Sequence, residues 1–426
     1  MKAIDREILR LAVPTLGALV AEPLFLLVDT ALVGHLGETT LAGLAIASVI
    51  LQTAVGLLVF LAYATTPAVA RLIGAGDRAG ALRAGLDGLW LAAFVGVVLL
   101  AAGVFGGRAA VAAFGASVEV ASEAVTYLVI SALGVPAMLL VLAGTGLLRG
   151  LQDARTPLII VGVGFTANAA LNAVFIYGFG WGIAGSAIGT VIAQWGMAVW
   201  FVARIVRLSR GVSLRPRLSG FSVAAAAGGW LFVRTVSLRI AILLTFAAAT
   251  QQGVSELAAL QVGIALYSLL AFILDSFAIA GQAMVGHGLG AGDRDRVRGI
   301  ARRLIRFGLL AGVGIGIVLA ALSPVLGAIF TSDPEVRAQL VPVILTLAIA
   351  LPLSGFVFVL DGVLIGAGDG RYLAIAGILT VVGYLPLLWF GQSSFSALWV
   401  AFCVGYIGLR ALTLGLRVRG EAWLAR

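Results

Sequence analysis

Gly74-Ala75-Gly76-Asp77-Arg78 returns 216 positions later as Gly290-Ala291-Gly292-Asp293-Arg294. The same offset carries Leu41-Ala42 onto Leu257-Ala258, Leu44 onto Leu260 and Pro136 onto Pro352. Further along, Gly146, Gly150, Asp153 and Arg155 fall on Gly362, Gly366, Asp369 and Arg371 without a gap. The 426-residue chain is therefore one half laid down twice in a single register. In membranes, paired bundles of this kind bind a solute between or within their halves and rock to release it. The repeat bears on function as well as on fold.

Hydropathy decides the medium. With 61% hydrophobic and 11% charged residues, the chain is too apolar to cover itself with a polar skin in water. Apolar runs of about 20 residues, enough to cross a bilayer, recur throughout. They lie at roughly 10–34, 41–70, 85–105, 121–148, 156–178 and 183–205 in the first half. In the second they lie at roughly 228–250, 257–287, 304–328, 338–365, 372–390 and 396–416. Open sheets cannot cross hydrocarbon, and these runs are too long for barrel strands. The expectation is an all-α integral membrane protein with twelve transmembrane helices in two six-helix lobes. The lobes are placed at residues 1–210 and 223–426, with a linker at 211–222.

The basic residues orient it. With the N-terminus inside, 23 of the 28 fall on the inner side, from Lys2, Arg6 and Arg10 to Arg417, Arg419 and Arg426. Arg204 to Arg217 mark the linker, and Arg294 to Arg306 hold six more. The outer loops keep only Arg108 and Arg337, while Arg234, Arg239 and Arg410 lie within or at the ends of spans. This is the positive-inside pattern, so both termini are expected in the cytoplasm of a multi-pass cell-membrane protein. It also accounts for the net charge of +9, and nucleic acid is not an expected partner. The stretch before the first span carries Asp5 and Glu7 and no small-residue cleavage site, so it reads as an amphipathic lead-in. One cysteine, Cys403, and two histidines offer no zinc or copper set.

The chemistry lies in the few polar groups inside the spans. An aspartate at mid-helix costs about 2.5–3.5 kcal/mol to insert, so such residues mark ion pathways or counter-ions. Asp29, in Leu27-Val28-Asp29-Thr30, is the foremost candidate. Glu22 precedes it by seven residues on nearly the same face, about 10 Å away along the axis, and Pro23 is expected to kink the helix between them. Burial disfavours the charged form of a carboxylate, so exposure to each side in turn would couple protonation to transport. Asn168 and Asn172 lie one turn apart in the fifth span, and Gln52 with Thr53 and Gln194 extend the polar lining. Amides of this kind can ligate a cation, receive a protonated carboxyl, or simply join helices.

Under the offset of 216, Asp29 meets Thr245, Glu22 meets Leu238, Asn168 meets Tyr384 and Asn172 meets Leu388. An asymmetric polar cluster on a symmetric scaffold points to the first lobe as the ion handler. The second lobe has Arg239 and Asp275, which could pair or face a substrate, with Arg410, Gln282 and His287 as weaker candidates. The Gly-Ala-Gly-Asp-Arg stretches lack the Lys-Ser/Thr ending and preceding strand of a phosphate loop and read as tight turns. Without an ATP engine the energy must come from an ion gradient, about 2.3 kcal/mol per charge across 100 mV.

These features together resemble the multidrug and toxic compound extrusion (MATE) family and, within it, the DNA-damage-inducible F (DinF) subfamily. The resemblance rests on Val28-Asp29-Thr30 with Gly34-His35-Leu36-Gly37, Leu41-Ala42-Gly43-Leu44 and the two Gly-Ala-Gly-Asp-Arg turns. Gly146-Leu147-Leu148-Arg149-Gly150-Leu151-Gln152-Asp153 and Leu171-Asn172 also fit, and Leu274-Asp275-Ser276-Phe277-Ala278 looks like the DinF-type variant. The resemblance implies an antiporter that exports amphipathic, often cationic compounds, with Asp29 as the carboxylate that takes the coupling proton or sodium. A second carboxylate common in the family would stand at Ile176, and a polar or acidic residue is common where Gln282 stands. The apolar Ile176 favours protons over sodium near Asp29. A monomer without a cofactor is expected, and no nucleophile–base or metal constellation for an enzyme appears among the spans. A flippase for a lipid or lipid-linked precursor is the alternative on the same architecture.

Overall fold

The computed structural model describes residues 3–330 and 334–425, and Lys2 and Arg426, counted above, lie outside them. Helices make up nearly all of it, and there is no strand among the described residues. A helix satisfies its backbone hydrogen bonds internally, which is what hydrocarbon demands of an apolar chain.

The first half begins with α1 (Ala3–Gly34), which continues through Pro14 and Pro23 as one helix. The second span is α2 (Glu38–Leu57) and α3 (Phe60–Gly74), interrupted at Leu58-Val59, and the third is α4 (Arg78–Ala112). Next, α5 (Val118–Ala132) and α6 (Val135–Gly150) form one span bent by 49° at Leu133-Gly134. Pro136 sits at the start of α6, where its missing N–H leaves no helical bond unmade. Then α7 (Arg155–Ala173) runs into a π-helical turn at Val174–Gly178, and α8 (Gly182–Leu208) closes the half.

The second half repeats the plan with α9 (Leu218–Thr250), α10 (Val254–Gly290), α11 (Arg294–Phe330), α12 (Pro334–Gly366) and α13 (Gly370–Gly391). Its last span is α14 (Phe395–Val400), a π-helical stretch at Ala401–Tyr406 and α15 (Ile407–Arg419). Eleven helices and the bent α5–α6 pair make twelve spans among the described residues, in agreement with the hydropathy reading. Large apolar side chains such as Phe105, Ile349, Trp389 and Phe390 stand outward, more than three-quarters exposed, as a lipid-facing surface requires.

The duplication holds down to single contacts. The turns at Gly76 (φ 80°) and Gly292 (φ 72°) share a left-handed backbone that glycine adopts without strain. In each turn the next aspartate caps the following helix: Asp77 Oδ1 accepts from Gly80 N at 2.7 Å, and Asp293 Oδ1 from Arg296 N at 2.9 Å. These are inter-helix turns, as their sequence suggests. A Cβ on Gly146 would run into the Ala62 backbone, and one on Gly362 into the backbone of Ala278, its repeat partner. Gly96 meets Pro136 as Gly312 meets Pro352. Small residues at these crossings let helix backbones touch, which substitutes in lipid for a hydrophobic drive.

The chain divides into two compact units, Gly17–Gly228 and Gly229–Arg426, the second taking in the segment that ends at Leu16. Both borders fall inside helices, α1 and α9, and not in the linker. In the first unit the linker is fastened to α4: the Arg83 guanidinium donates to Ser213 O and Arg215 O, and Trp90 Nε1 donates to Leu214 O at 2.9 Å. Arg217 pairs with Asp87 at 2.7 Å. In the second unit the lead-in of α1 is tied to α11 by Glu7–Arg296 at 3.0 Å and Asp5–Arg303 at 3.8 Å.

Overpacking a close crossing costs about 1–3 kcal/mol. Gly146→Val and Gly362→Val should therefore each lower the melting temperature of the purified protein in detergent by several degrees. Gly106→Val, which meets nothing within 4 Å, should leave it within a degree or two.

Candidate functional site

Within the first unit, four helices converge on one carboxylate. Asp29 on α1 is 3% exposed. Its Oδ1 accepts from Ser186 Oγ on α8 at 2.6 Å and from Asn172 Nδ2 on α7 at 2.8 Å. Its Oδ2 accepts from Tyr127 OH on α5 at 3.2 Å. Among the described residues no cationic side chain lies within ion-pair range of Asp29. The carboxylate is held by neutral donors alone, an arrangement that can be remade when a proton or cation arrives.

Local sequence sets this geometry. Gly189 on α8 leaves the space that the Asn172 amide occupies; a Cβ there would collide with it. Past Asn172, α7 widens into the π-helical turn, and Tyr177 there donates to Leu32 O on α1 at 2.6 Å. Asn172 is fully buried, its Nδ2 also lies 3.4 Å from Ser186 Oγ and 3.5 Å from Thr190 Oγ1, and its Oδ1 has no hydrogen-bond partner. Asn168, a turn earlier, likewise keeps a buried oxygen without a partner. An apolar cluster including Val33, Leu44, Ala47, Leu128, Ile176 and Ile183 packs about Tyr127. Ile176, standing where the family resemblance would put a second carboxylate, belongs to that cluster.

The other expected residues are dispersed. Glu22 is enclosed by surrounding residues yet reaches an open surface, outside the Asp29 hydrogen-bond set, and Gln52 is exposed on α2. Gln194 sets its Oε1 against Gly134 at the α5–α6 bend, buried and without a hydrogen bond. In the second unit Arg239 is exposed and makes no ion pair among the described residues, so the pairing with Asp275 envisaged from depth is not formed. Arg234, five residues earlier and so about 140° round the helix, faces inward instead. It grips Asp361 on α12, donating from Nε to Oδ1 at 3.2 Å and from Nη2 to Oδ2, while Arg410 Nη2 on α15 lies 3.3 Å from Oδ1. Asp275 is half-buried on α10, and Gln282 is buried with its Oε1 unpartnered.

Sequence reading missed Tyr127, Ser186, Thr190 and Asp361. A signal existed for two of them: Ser186, Thr190 and Gln194 recur every fourth residue, a polar stripe down one face of α8. At the positions repeating Asp29 and Asn168, the second unit has Thr245 and Tyr384, whose hydroxyls meet at 2.8 Å.

Comparison with known proteins agrees with this architecture. A family model described as MatE matches residues 14–174 and 231–390. The DNA damage-inducible protein F of Escherichia coli is 29% identical over 425 residues, covering 96% of this chain and 91% of that protein. Protein DETOXIFICATION 45, chloroplastic, of Arabidopsis thaliana is 28% identical over 433 residues, covering 93% and 77%. Among solved structures, a Vibrio cholerae MATE transporter superposes with a TM-score of 0.91 at 22% identity, covering 100% of this chain and 99% of that one. At that identity the likeness speaks for the fold. The matched segments fall one in each half and together take in most of the chain, and this multi-pass membrane protein belongs to the MatE family, with DinF among its homologues.

Proposed function

We propose that this protein is a cation-coupled antiporter, driven by protons in preference to sodium, that exports amphipathic and often cationic compounds across the cell membrane by alternating access. One observation carries the reading: Asp29 is buried, bonded only to neutral donors and free of any ion-pair partner among the described residues. Relatives named as multidrug resistance proteins, such as MdtK of Edwardsiella ictaluri at 27% identity, support the cargo class.

The ionised carboxylate draws Tyr127, Asn172 and Ser186 inward and so ties α1 to α5, α7 and α8. Protonation turns one carboxyl oxygen into a donor, which needs an acceptor. Asn172 Oδ1, buried without a partner, can serve once the amide turns over. The proton thus exchanges one hydrogen-bond pattern for another, and helices held by the first pattern are released. An equilibrium between two packings, biased by the gradient, is what alternating access needs. We assign Asn168 to the path by which water or the proton reaches Asp29, and exposed Glu22 to its entrance. Gln52, Gln194, Arg239 and Asp275 remain candidates for the cargo's surroundings. Sodium would require several oxygen ligands, and the apolar Ile176 in the neighbouring cluster weighs against a second carboxylate ligand. We place both termini in the cytoplasm, from the bias of arginines, and join the repeated lobes 1–210 and 223–426 through linker 211–222.

In proteoliposomes, efflux of a fluorescent organic cation should follow an imposed proton gradient and fall to background in Asp29→Asn, whose neutral amide has the same shape. Efflux that survives that substitution would remove Asp29 from the coupling role, and fluorescent-lipid scrambling without cation efflux would favour a flippase.

Ser186→Ala and Tyr127→Phe each delete one hydrogen bond to a charged group, about 1.5–3 kcal/mol. Each should slow gradient-driven efflux roughly tenfold without abolishing it, as measured from initial rates in the same vesicles.

A further inference from the structure

The second unit holds a buried basic cluster that the coupling scheme does not use. Asp361 is held two-handed by Arg234, and Arg410 reaches only Oδ1, through Nη2 at 3.3 Å. Arg410 is itself 9% exposed, and its guanidinium makes no other hydrogen bond or ion pair among the described residues. A guanidinium has five N–H donors and does not lose its proton in a protein. A buried cation so sparsely matched is costly unless a further anion approaches it.

A pocket lies at that place. Arg234, Asp361 and Arg410 line it together with Thr380, Thr413 and apolar side chains that include Leu238. The room inside suits a group about the size of one water molecule. The first half has nothing comparable: the positions repeating Arg234, Asp361 and Arg410 are Ala18, Thr145 and Gln194.

We infer that this pocket binds a small monoanionic group at Arg410, either a halide ion or the carboxylate end of a cargo molecule. The guest completes the hydrogen bonding of Arg410 and balances its charge. The guest takes the place of a single water, and the narrowness excludes the body of a large anion while admitting a single charged terminus. The inference does not depend on the role proposed for Asp29.

The test uses the full-length protein in lipid nanodiscs, titrated separately with sodium bromide and sodium acetate. Ionic strength is held constant with the HEPES salt, whose three-oxygen sulfonate end is wider than a halide or a carboxylate. Melting temperature and heat of binding are both recorded. A saturable response to bromide alone identifies a halide counter-ion, and one to acetate, with or without bromide, identifies a carboxylate site. Either supports the proposal if Arg410→Gln weakens it at least tenfold and Arg410→Lys, which keeps the charge, loses less. Leu238→Phe fills the pocket while leaving the three charged residues in the chain and should also abolish the response, which settles the matter should Arg410→Gln fail to fold. A folded wild-type protein with no saturable response to either anion overturns the proposal. So does a response undiminished in both Arg410→Gln and Leu238→Phe. A purely structural cluster would lower the stability of Arg410→Gln but give the wild type no anion-dependent shift.

Discussion

Where Gly146 passes Ala62, and again where Gly362 passes Ala278, two helix backbones lie in contact with no side chain between them. Lipid gives apolar helices no reason to prefer one another, so association must come from fit. These crossings supply it, and the rest of the scaffold depends on them. They fix α3 against α6 and α10 against α12 at one separation, and the capped turns at Asp77 and Asp293 set the phase at which α4 and α11 begin. A fit made by the absence of side chains cannot drift, which is why an offset read from glycines survives when most other positions have diverged.

On that shared frame the two halves have acquired opposite chemistries. One unit buries a carboxylate among neutral donors; the other buries two guanidiniums around one carboxylate and places a pair of hydroxyls, Thr245 and Tyr384, at the positions repeating Asp29 and Asn168. Packing does not require the difference, because the crossings are the same in both. In a medium where an unmatched charge is expensive, each half must satisfy its own buried charges by its own means.

The twelve spans, their order and the duplication were all legible in the sequence, because hydrocarbon forces long apolar helices and the repeated glycines mark their crossings. Asp29 and Asn172 were legible for the same reason, being polar where polarity is costly. Their partners were not. Ser186 and Thr190 are tolerated anywhere on a membrane helix, and Tyr127 reads as an ordinary aromatic until its hydroxyl is seen to reach Asp29. Arg239 shows the limit of counting depth along a span: it stands at a depth suited to pairing with Asp275, but helical phase turns it outward and gives the inward position to Arg234. Depth follows from residue number, whereas phase depends on which face a neighbour covers.

The border of each compact unit lies within the first helix of a half, and the two displaced pieces correspond: the start of α1 belongs with the second unit, as the start of α9 belongs with the first. Each half has therefore lent the other the same piece of itself. Such reciprocal lending is how two identical subunits trade arms. Here both arms belong to one chain, and each is the beginning of a helix that runs on into the other unit.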